Sequence, residues 1–204
     1  MALSIPSLSS ARKPVRAELR AKRRALSPEQ REHAARLVAR NVDRAFRLRA
    51  GKRVAIYAAL WEELDTAPLI ELAFERGCHV FLPRIDRHTG HLDFHEWHAA
   101  DARQRVNHLG ILEPEGTASI GARWLDLVLL PLVGFDACGV RLGMGGGYYD
   151  RTFAFRNRHT SWRGPRLVGI AYSFQQLPSL AAAAHDVRMD AVVTEKGVVR
   201  CRTG

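Results

Sequence analysis

Apolar residues recur at helical spacing between residues 34 and 45 and predict a helix with one buried face. The four residues 27–30, Ser-Pro-Glu-Gln, mark where this helix begins, because serine can cap it, proline suits its first position and glutamine completes a capping box. Before it, residues 12–26 indicate a basic helix that tolerates Pro14 near its start. We expect residues 1–10 to form a disordered tail.

After residue 53 the pattern changes to short apolar runs of the length of buried strands. They alternate with a helix between Thr66 and Gly77 and with another that begins near Tyr148, and the most apolar run, 125–133, suits a central parallel strand. The predicted fold is therefore a three-layer α/β domain over residues 1–204, with a mainly parallel sheet, helices on both faces and the basic helical segment in front. The predicted strands are 54–58, 79–83, 92–97, 125–133, 167–172 and 191–194.

Composition excludes several classes of protein. With 47% hydrophobic and 25% charged residues, the chain has an ordinary globular balance, and no apolar run approaches the roughly 20 residues of a membrane span. Its three cysteines have no CxxC spacing, which argues against a disulfide framework or a structural zinc site and favours a reducing compartment. We expect a cytoplasmic monomer.

The net charge of +10 comes from the N-terminal segment. Residues 1–53 contain 15 Lys and Arg against 4 Asp and Glu, whereas the rest of the chain contains 16 against 17. Such a field favours anionic partners, including nucleotide phosphates, an anionic cofactor tail and nucleic acid. Phe46 is the segment's one aromatic residue, so it offers no stacking platform, and we expect any nucleic-acid binding to be weak and non-specific.

A glycine-rich loop follows the most apolar strand. The segment RLGMGGGYYD runs from Arg141 to Asp150 and has four glycines among residues 143–147. Glycines between a buried strand and a helix leave backbone N–H groups free to converge on an anion, and the helix N-terminus adds partial positive charge. The loop is neither a Walker A loop nor a dinucleotide fingerprint. It indicates a phosphate site, with a flexible turn as the alternative.

Asp150 directly follows this loop. An acid beside a bound phosphate opposes binding unless a cation lies between them, so the position predicts magnesium. The alternative is an aspartate that complements the helix dipole. Asp190, which ends the segment HDVRMD, is by itself an ordinary loop aspartate.

Taken together, these segments resemble the 5-formyltetrahydrofolate cyclo-ligase family, also called methenyltetrahydrofolate synthetase. RLGMGGGYYDR carries the resemblance with LDLVLLPLVGFD before it and HDVRMDAVVTE after it, and it extends to YAALWEELDTAPLI and to RKPVR ahead of RRALSPEQ. It covers residues 12–199. The resemblance implies an ATP- and magnesium-dependent enzyme that converts 5-formyltetrahydrofolate to 5,10-methenyltetrahydrofolate, ADP and phosphate.

The resemblance also implies roles on the nucleotide side. Arg12 and Arg16 match a motif that contacts the phosphates of ATP, although a register one turn later, Arg16 and Arg20, fits the same pattern. Asp150 and Asp190 match magnesium ligands. The loop residues that match the ATP site are Arg141, Gly143, Met144, Gly145, Gly146, Gly147, Tyr148 and Tyr149.

On the folate side, Ala58 and Glu63 match substrate-contacting positions, and Met144 and Tyr148 are shared with the ATP site. Some family members carry Arg or Lys at the positions of Met144 and Gly146, which are uncharged here. Positive charge for the transferred phosphate must then come from Mg²⁺ or from an arginine, and we take Arg141 as the catalytic candidate. The other candidate arginines are Arg12, Arg16 and Arg151.

In the implied reaction ATP phosphorylates the formyl oxygen, and N10 of the folate then attacks the formyl carbon. The protein needs to supply positioning and charge rather than a Ser-His-Asp or Cys-His set, and the sequence suggests no such set.

The alternative functions are those of a nucleic-acid-binding protein and of a relative of sugar-phosphate isomerases or CoA-transferases. We interpret the histidines of the segment 88–98 as solvated rather than as zinc ligands.

Overall fold

The computed structural model describes residues 8–98, 104–106, 110, 112–114, 118–157 and 164–201. The first helix begins at Leu8, so the predicted tail is wrong for residues 8–10, and residues 1–7 lie outside the described part. Each predicted helix is present. The helices are α1 (Leu8–Arg24), α2 (Pro28–Phe46), α3 (Ala67–Glu75) and α4 (Tyr148–Phe153).

The strands include every predicted one and several that the apolar pattern did not indicate. The full set is β1 (Arg53–Ala55), β2 (His79–Ile85), β3 (Leu92–Glu96), β4 (Gln104–Val106), β5 (Leu112–Pro114), β6 (Ser119–Ile120), β7 (Leu127–Pro131), β8 (Gly134–Phe135), β9 (Arg141–Leu142), β10 (Arg166–Ile170), β11 (Ala191–Thr194) and β12 (Gly197–Arg200). The strands missed are β4–β6, β8, β9 and β12, which are short or pair at an edge.

Eight strands form one sheet in the order β12-β11-β10-β7-β1-β2-β3-β6. The five strands from β11 to β2 are parallel, and β12, β3 and β6 pair antiparallel at the two edges. The predicted mainly parallel α/β sheet is confirmed. Strands β4 and β5 form a separate pair, as do β8 and β9.

Both faces of the parallel strands are buried, because successive side chains point to opposite sides of the sheet. In β7, Leu127 and Leu129 pack under α2 and α3, whereas Val128 and Leu130 belong to a second apolar cluster on the other face. That second face is covered by the six-residue α4, through Phe153, together with the loop segments around β8 and β9. Helices therefore lie on both faces, as predicted, but they cover the two faces unequally.

The predicted capping box of α2 is present. The N–H of Gln30 donates to Oγ of Ser27 at 3.2 Å, and the N–H of Ser27 donates back to Oε1 of Gln30 at 2.9 Å. Two backbone donors that the first turn leaves unpaired are thus satisfied. Fully buried Val38 and Val42 then fix the helix face against the sheet.

Helix α1 lies outside this layered core. Its buried Leu19 packs against Val133 and Leu142. Val133 follows the carboxyl end of β7, and Leu142 lies in β9. The basic helix therefore crosses the sheet edge at which α/β proteins usually bind ligands. Within the described part of the chain, no helix combines the length and apolarity that a membrane crossing requires.

Candidate active site

Three loop segments meet α1 near the carboxyl ends of the central strands. The first, residues 56–66, follows β1, and the second, the glycine loop 143–147, joins β9 to α4. The third, residues 181–187, approaches from the connection before β11. Since the first two segments and α1 carry residues that the sequence singles out, the fold brings most of the nucleotide-side and folate-side predictions to one edge of the sheet.

The glycine loop has the backbone freedom that its composition suggested. Gly145 and Gly147 adopt φ values of 107° and 66°, which residues other than glycine rarely adopt. A methyl group added at Gly143 or Gly145 would meet no described heavy atom within 4 Å. Met144, between them, exposes 52% of its surface. The loop therefore leaves open space beside its backbone at Gly143 and Gly145.

Arg16 lies directly beside this loop. Its Nε donates to the carbonyl oxygen of Gly143 at 2.8 Å, and its two terminal nitrogens make no hydrogen bond to a described residue. One turn later, Nε of Arg20 donates instead to Oε1 of Glu62 at 2.7 Å. The geometry therefore favours the register in which Arg16, rather than Arg20, is the second arginine of the predicted phosphate motif.

Arg12, one turn before Arg16, reaches the third segment. Its Nη2 donates to Oδ2 of Asp186 at 3.0 Å and also to the carbonyl oxygen of Ala181. Its Nε is buried and has no hydrogen-bond partner among the described residues. A buried guanidinium nitrogen without a partner is consistent with a bound anion, because a buried polar group normally has a partner.

Arg141 and Asp150 form a largely buried ion pair at the back of the loop. Nη2 of Arg141 donates to Oδ1 of Asp150 at 2.7 Å, and Nη1 donates to the carbonyl oxygen of Val187 at 2.6 Å. The N–H of Val187 also donates to Oδ1 of Asp150, at 2.9 Å. Both terminal nitrogens of Arg141 are thus committed to holding Asp150 and the third segment in place.

Asp190 lies at the opposite end of the parallel strands. Nη2 and Nη1 of Arg156 donate to its two oxygens at 2.8 and 3.0 Å, and the N–H of Leu167 donates to Oδ2 at 2.7 Å. Leu167 is the second residue of β10, so Asp190 is at the amino end of that strand. The structure does not bring Asp190 to the glycine loop.

Asp186 is the acid of this segment that lies near the nucleotide-side residues. It contacts Arg12, and it immediately precedes Val187, whose N–H donates to Asp150. Although burial opposes ionisation, the N–H of Ala183 and the Arg12 guanidinium lower the pKa of Asp186 below its usual value. Sequence reasoning missed this residue, although its place in the segment HDVRMD, four residues before Asp190, was a signal for it.

The first loop carries the predicted folate-side residues. Oε2 of Glu63 accepts from the N–H of Leu60 at 3.0 Å, and burial raises the pKa of Glu63. Burial, and then the Glu63 carboxylate, raise the pKa of Tyr149. Half-buried Ala58 belongs to the same loop.

Arg151, one of the arginines that the sequence offers as a source of positive charge, contacts the glycine loop directly. Its Nη2 donates to the carbonyl oxygen of Gly146 at 2.8 Å, and its Nε donates to that of Gly90 at 3.0 Å, in the turn between β2 and β3. The guanidinium carbon lies 5.1 Å from the ring centroid of Tyr148. Arg151 therefore ties the glycine loop to the neighbouring turn and orients Tyr148.

The described residues contain no group of three or more His, Cys, Asp or Glu side chains arranged to hold a metal ion. Magnesium does not require such a group, since it is commonly bound by one or two carboxylates plus substrate phosphates.

Among the histidines, His88, His91 and His98 are exposed, but the prediction of solvation is wrong for His95, which is 6% exposed. His95 is buried because β6 pairs with β3 and makes it an interior strand.

A family model of the 5-formyltetrahydrofolate cyclo-ligases matches residues 8–195. The chain belongs to this family. The cyclo-ligases are ligases of one-carbon metabolism, and the recognition made from the sequence motifs is confirmed. The chain is 34% identical over 185 residues to the 5-formyltetrahydrofolate cyclo-ligase of Escherichia coli K12, covering 88% of this chain and 98% of the relative.

Other cyclo-ligase relatives agree. The Mus musculus 5-formyltetrahydrofolate cyclo-ligase is 30% identical over 195 residues, covering 93% of this chain and 96% of the relative. The solved Aquifex aeolicus 5,10-methenyltetrahydrofolate synthetase matches with a TM-score of 0.78 and 32% identity, covering 95% of this chain and 94% of that one. The solved Mycoplasma pneumoniae 5,10-methenyltetrahydrofolate synthetase matches with a TM-score of 0.69 and 24% identity, covering 90% of this chain and 98% of that one. It shows the same fold.

Proposed function

We propose that this cyclo-ligase family member converts 5-formyltetrahydrofolate and ATP to 5,10-methenyltetrahydrofolate, ADP and phosphate, in a magnesium-dependent reaction. Family membership supports the reaction. The observation that carries the proposal is the position of Arg16, whose terminal nitrogens are uncommitted beside the open glycine loop. A guanidinium and a run of backbone amides are the groups that bind phosphate.

On the nucleotide side, Arg12 and Arg16 bind the phosphates from α1, and the glycine loop supplies amides. Arg141 is the catalytic candidate from the sequence, and its contacts support an indirect role, in which it orients Asp150. Arg16 is then the guanidinium that stabilises charge on the transferred phosphoryl group. The loop residues that complete the nucleotide site are Gly143, Met144, Gly145, Gly146, Gly147, Tyr148 and Tyr149.

The metal would be held by Asp150 together with a second aspartate. The motif match assigns that role to Asp190, whereas contact with Arg12 and proximity to Asp150 support Asp186. Magnesium, when bound, would neutralise charge on the nucleotide phosphates. The protein's own residues fit this use, because Arg141 and the N–H of Val187 both donate to Oδ1 of Asp150, whose side chain keeps 20% of its surface exposed.

The folate side comprises Ala58, Glu63, Met144 and Tyr148. In the proposed reaction the formyl oxygen attacks the terminal phosphorus of ATP, and ADP leaves. N10 of the folate then attacks the formyl carbon, a C–N bond forms, and the phosphorylated oxygen departs as phosphate. Phosphorylation is needed because the formyl oxygen is otherwise a poor leaving group. The protein therefore contributes positioning and charge stabilisation rather than a nucleophile of its own.

The inward contacts of α1 weaken the case for nucleic acid as the main partner. Arg12, Arg16, Arg20 and Arg23 all donate to the loops beneath the helix rather than lying on one solvated face. A cytoplasmic location, a monomeric state and a single domain over 1–204 are part of the proposal. They follow from composition and motif order.

The proposed function is tested by incubating the protein with 5-formyltetrahydrofolate and following the near-ultraviolet absorbance of the methenyl product. Product should appear with MgATP and not when either magnesium or ATP is omitted. Absence of product with MgATP would contradict the proposal. Turnover of a sugar phosphate without ATP would instead support the isomerase-like alternative.

A further inference from the structure

Glu62 is an acid that the reaction does not use, yet it is one of the most buried charged residues in the protein. It exposes 4% of its surface, in the loop after β1. Three arginines in the last two turns of α1 surround its carboxylate. Arg20, Arg23 and Arg24 approach at 2.7, 3.4 and 3.8 Å.

The most buried of these arginines depends on Glu62. Arg23 exposes 1% of its surface, and its Nη1 also donates to the carbonyl oxygen of Leu132 at 3.4 Å, just beyond the end of β7. Burial lowers the pKa of Arg23, and the Glu62 carboxylate opposes that shift. A buried charge needs a charged partner, so the pair fixes the C-terminal half of α1 against the loop after β1.

The remaining attachments of α1 are few. Its apolar contact is a small cluster around Leu19, with Val133 and Leu142 as the other buried members. Its N-terminal half is attached to the site itself, through Arg16 to Gly143 and Arg12 to Asp186. The carboxylate of Glu62 therefore anchors the half of the helix that does not touch the nucleotide loop.

Glu62 and Glu63 are adjacent and make different hydrogen bonds. The carboxylate of Glu62 lies among the arginines of α1, whereas that of Glu63 accepts from the N–H of Leu60 at 3.0 Å. A displacement of Glu62 would therefore move both the arginines of the nucleotide side and the predicted folate acid. The single peptide bond between Glu62 and Glu63 therefore connects the nucleotide side of the site to its folate side.

We infer that Glu62 is a positioning residue that holds α1 over the active site and keeps Arg16 in register with the glycine loop while it orients Glu63. This inference rests on the proposed function. It adds that the two substrate sides are coupled through the ion-pair cluster of Glu62 with Arg20, Arg23 and Arg24.

The test is Glu62→Gln, which keeps the shape of the side chain and removes its charge. Hydrogen exchange of the α1 amides, measured without substrate, should rise about tenfold relative to wild type, and the KM for MgATP should rise by a similar factor, with a smaller change in kcat. The KM for the folate should rise in parallel. Glu62→Asp, which restores the charge on a shorter side chain, should recover part of both effects.

The matched control is Glu18→Gln, which removes an exposed acid of α1 that pairs with Lys22 at 2.7 Å. It should leave the exchange of α1 and both KM values unchanged. A purely structural role for Glu62 would lower kcat and the unfolding midpoint without a selective rise in the two KM values, and that result would overturn the inference. So would wild-type exchange and wild-type KM values in Glu62→Gln.

If Glu62→Gln does not fold, Arg20→Gln replaces it, because Arg23 still pairs with Glu62 in that variant. Faster exchange of α1 and a raised KM for MgATP are again expected, and unchanged values would overturn the inference. Exchange without substrate also separates this test from that of the reaction. A wild-type protein with no cyclo-ligase activity would refute the proposed function, whereas unchanged exchange in the variants would refute the anchor.

Discussion

Asp190 and Arg156 form a two-pronged ion pair, in which the terminal nitrogens of the arginine donate to the two carboxylate oxygens at 2.8 and 3.0 Å. Such bidentate pairs are among the strongest side-chain hydrogen bonds. The N–H of Leu167 adds a third donor. A cation at Asp190 would compete with Arg156, whereas Asp186 is held by Arg12, a residue already predicted to contact phosphate.

Asp186→Asn and Asp190→Asn should therefore have different effects. We expect Asp186→Asn to raise the magnesium concentration needed for half-maximal activity and to leave the unfolding midpoint nearly unchanged. Asp190→Asn should lower the free energy of unfolding by about 1–3 kcal/mol, since it weakens the hydrogen bonds to Arg156, with little change in magnesium dependence. Activity titrations with MgCl₂ and urea unfolding of both variants check this. The reverse pattern would restore Asp190 as the metal ligand.

Asp150→Asn should lower turnover by roughly 10–100-fold, the range for groups that hold or orient a metal. The protein should still fold, because asparagine keeps an oxygen that can accept from Arg141 and from the N–H of Val187. Initial rates at several magnesium concentrations measure the effect, with the exposed Asp93→Asn as the control. Near-normal rates in Asp150→Asn would remove this residue from the metal site.

Arg16→Ala should act mainly on the use of ATP. Loss of a charged hydrogen-bonding group costs about 1.5–3 kcal/mol, which corresponds to a rise of roughly 10–100-fold in the KM for MgATP. The matched control is Lys13→Ala, which removes an exposed positive charge from the same helix. If both variants lose ATP affinity equally, Arg16 acts through the general field of α1 and not through a contact at the glycine loop.

Local chemistry made part of this structure predictable from the sequence. The capping box of α2 depends on residues within one helical turn, and the central strands follow from apolar runs that both sheet faces bury. Strand pairing at the edges was not visible in this way. The burial of His95 depends on β6, a two-residue strand that the apolar pattern did not indicate.

In the candidate site, too, local features were predictable from the sequence and long-range contacts were not. The glycine loop was singled out by its local composition, and Arg12 and Arg16 by the family resemblance of a short segment. The choice between Asp186 and Asp190 depends on Arg156, which is 34 residues away from Asp190, and on which end of β10 each acid reaches. Such long-range contacts leave no periodic signal in one sequence. The anchoring of α1 by Glu62 was missed for the same reason.

Gly143→Ala separates the need for ligand space from the need for a particular backbone conformation. Gly143 does not have a positive φ, and an added methyl group would meet no described atom within 4 Å, so we expect an unchanged unfolding midpoint. If the backbone approaches a phosphate closely there, the KM for MgATP should rise several-fold. The control is Gly121→Ala, whose new methyl group would lie 3.6 Å from Trp124 in ordinary contact. Unchanged ATP affinity in Gly143→Ala would show that the loop does not closely contact the nucleotide at this position.

The pH dependence of stability tests the burial of Glu63. Burial raises the pKa of Glu63 above its ordinary value of 4.5, although the N–H of Leu60 and Arg23 oppose the shift. Because the folded-state pKa lies above the unfolded one, folding favours the protonated form. The stabilising contribution of this group is therefore fully present below pH 4.5 and is lost as pH rises through the folded-state pKa.

Glu63→Gln fixes this side chain in an uncharged form and should remove that dependence. Relative to wild type, the variant should gain free energy of unfolding as pH increases from about 4 to 8, as the wild-type carboxylate ionises in its buried position. Urea unfolding across this range measures the difference, with the exposed Glu71→Gln as the control. A difference between Glu63→Gln and wild type that does not vary with pH would mean that Glu63 is as well solvated in the folded protein as in the unfolded chain. The burial of its carboxylate would then have to be abandoned.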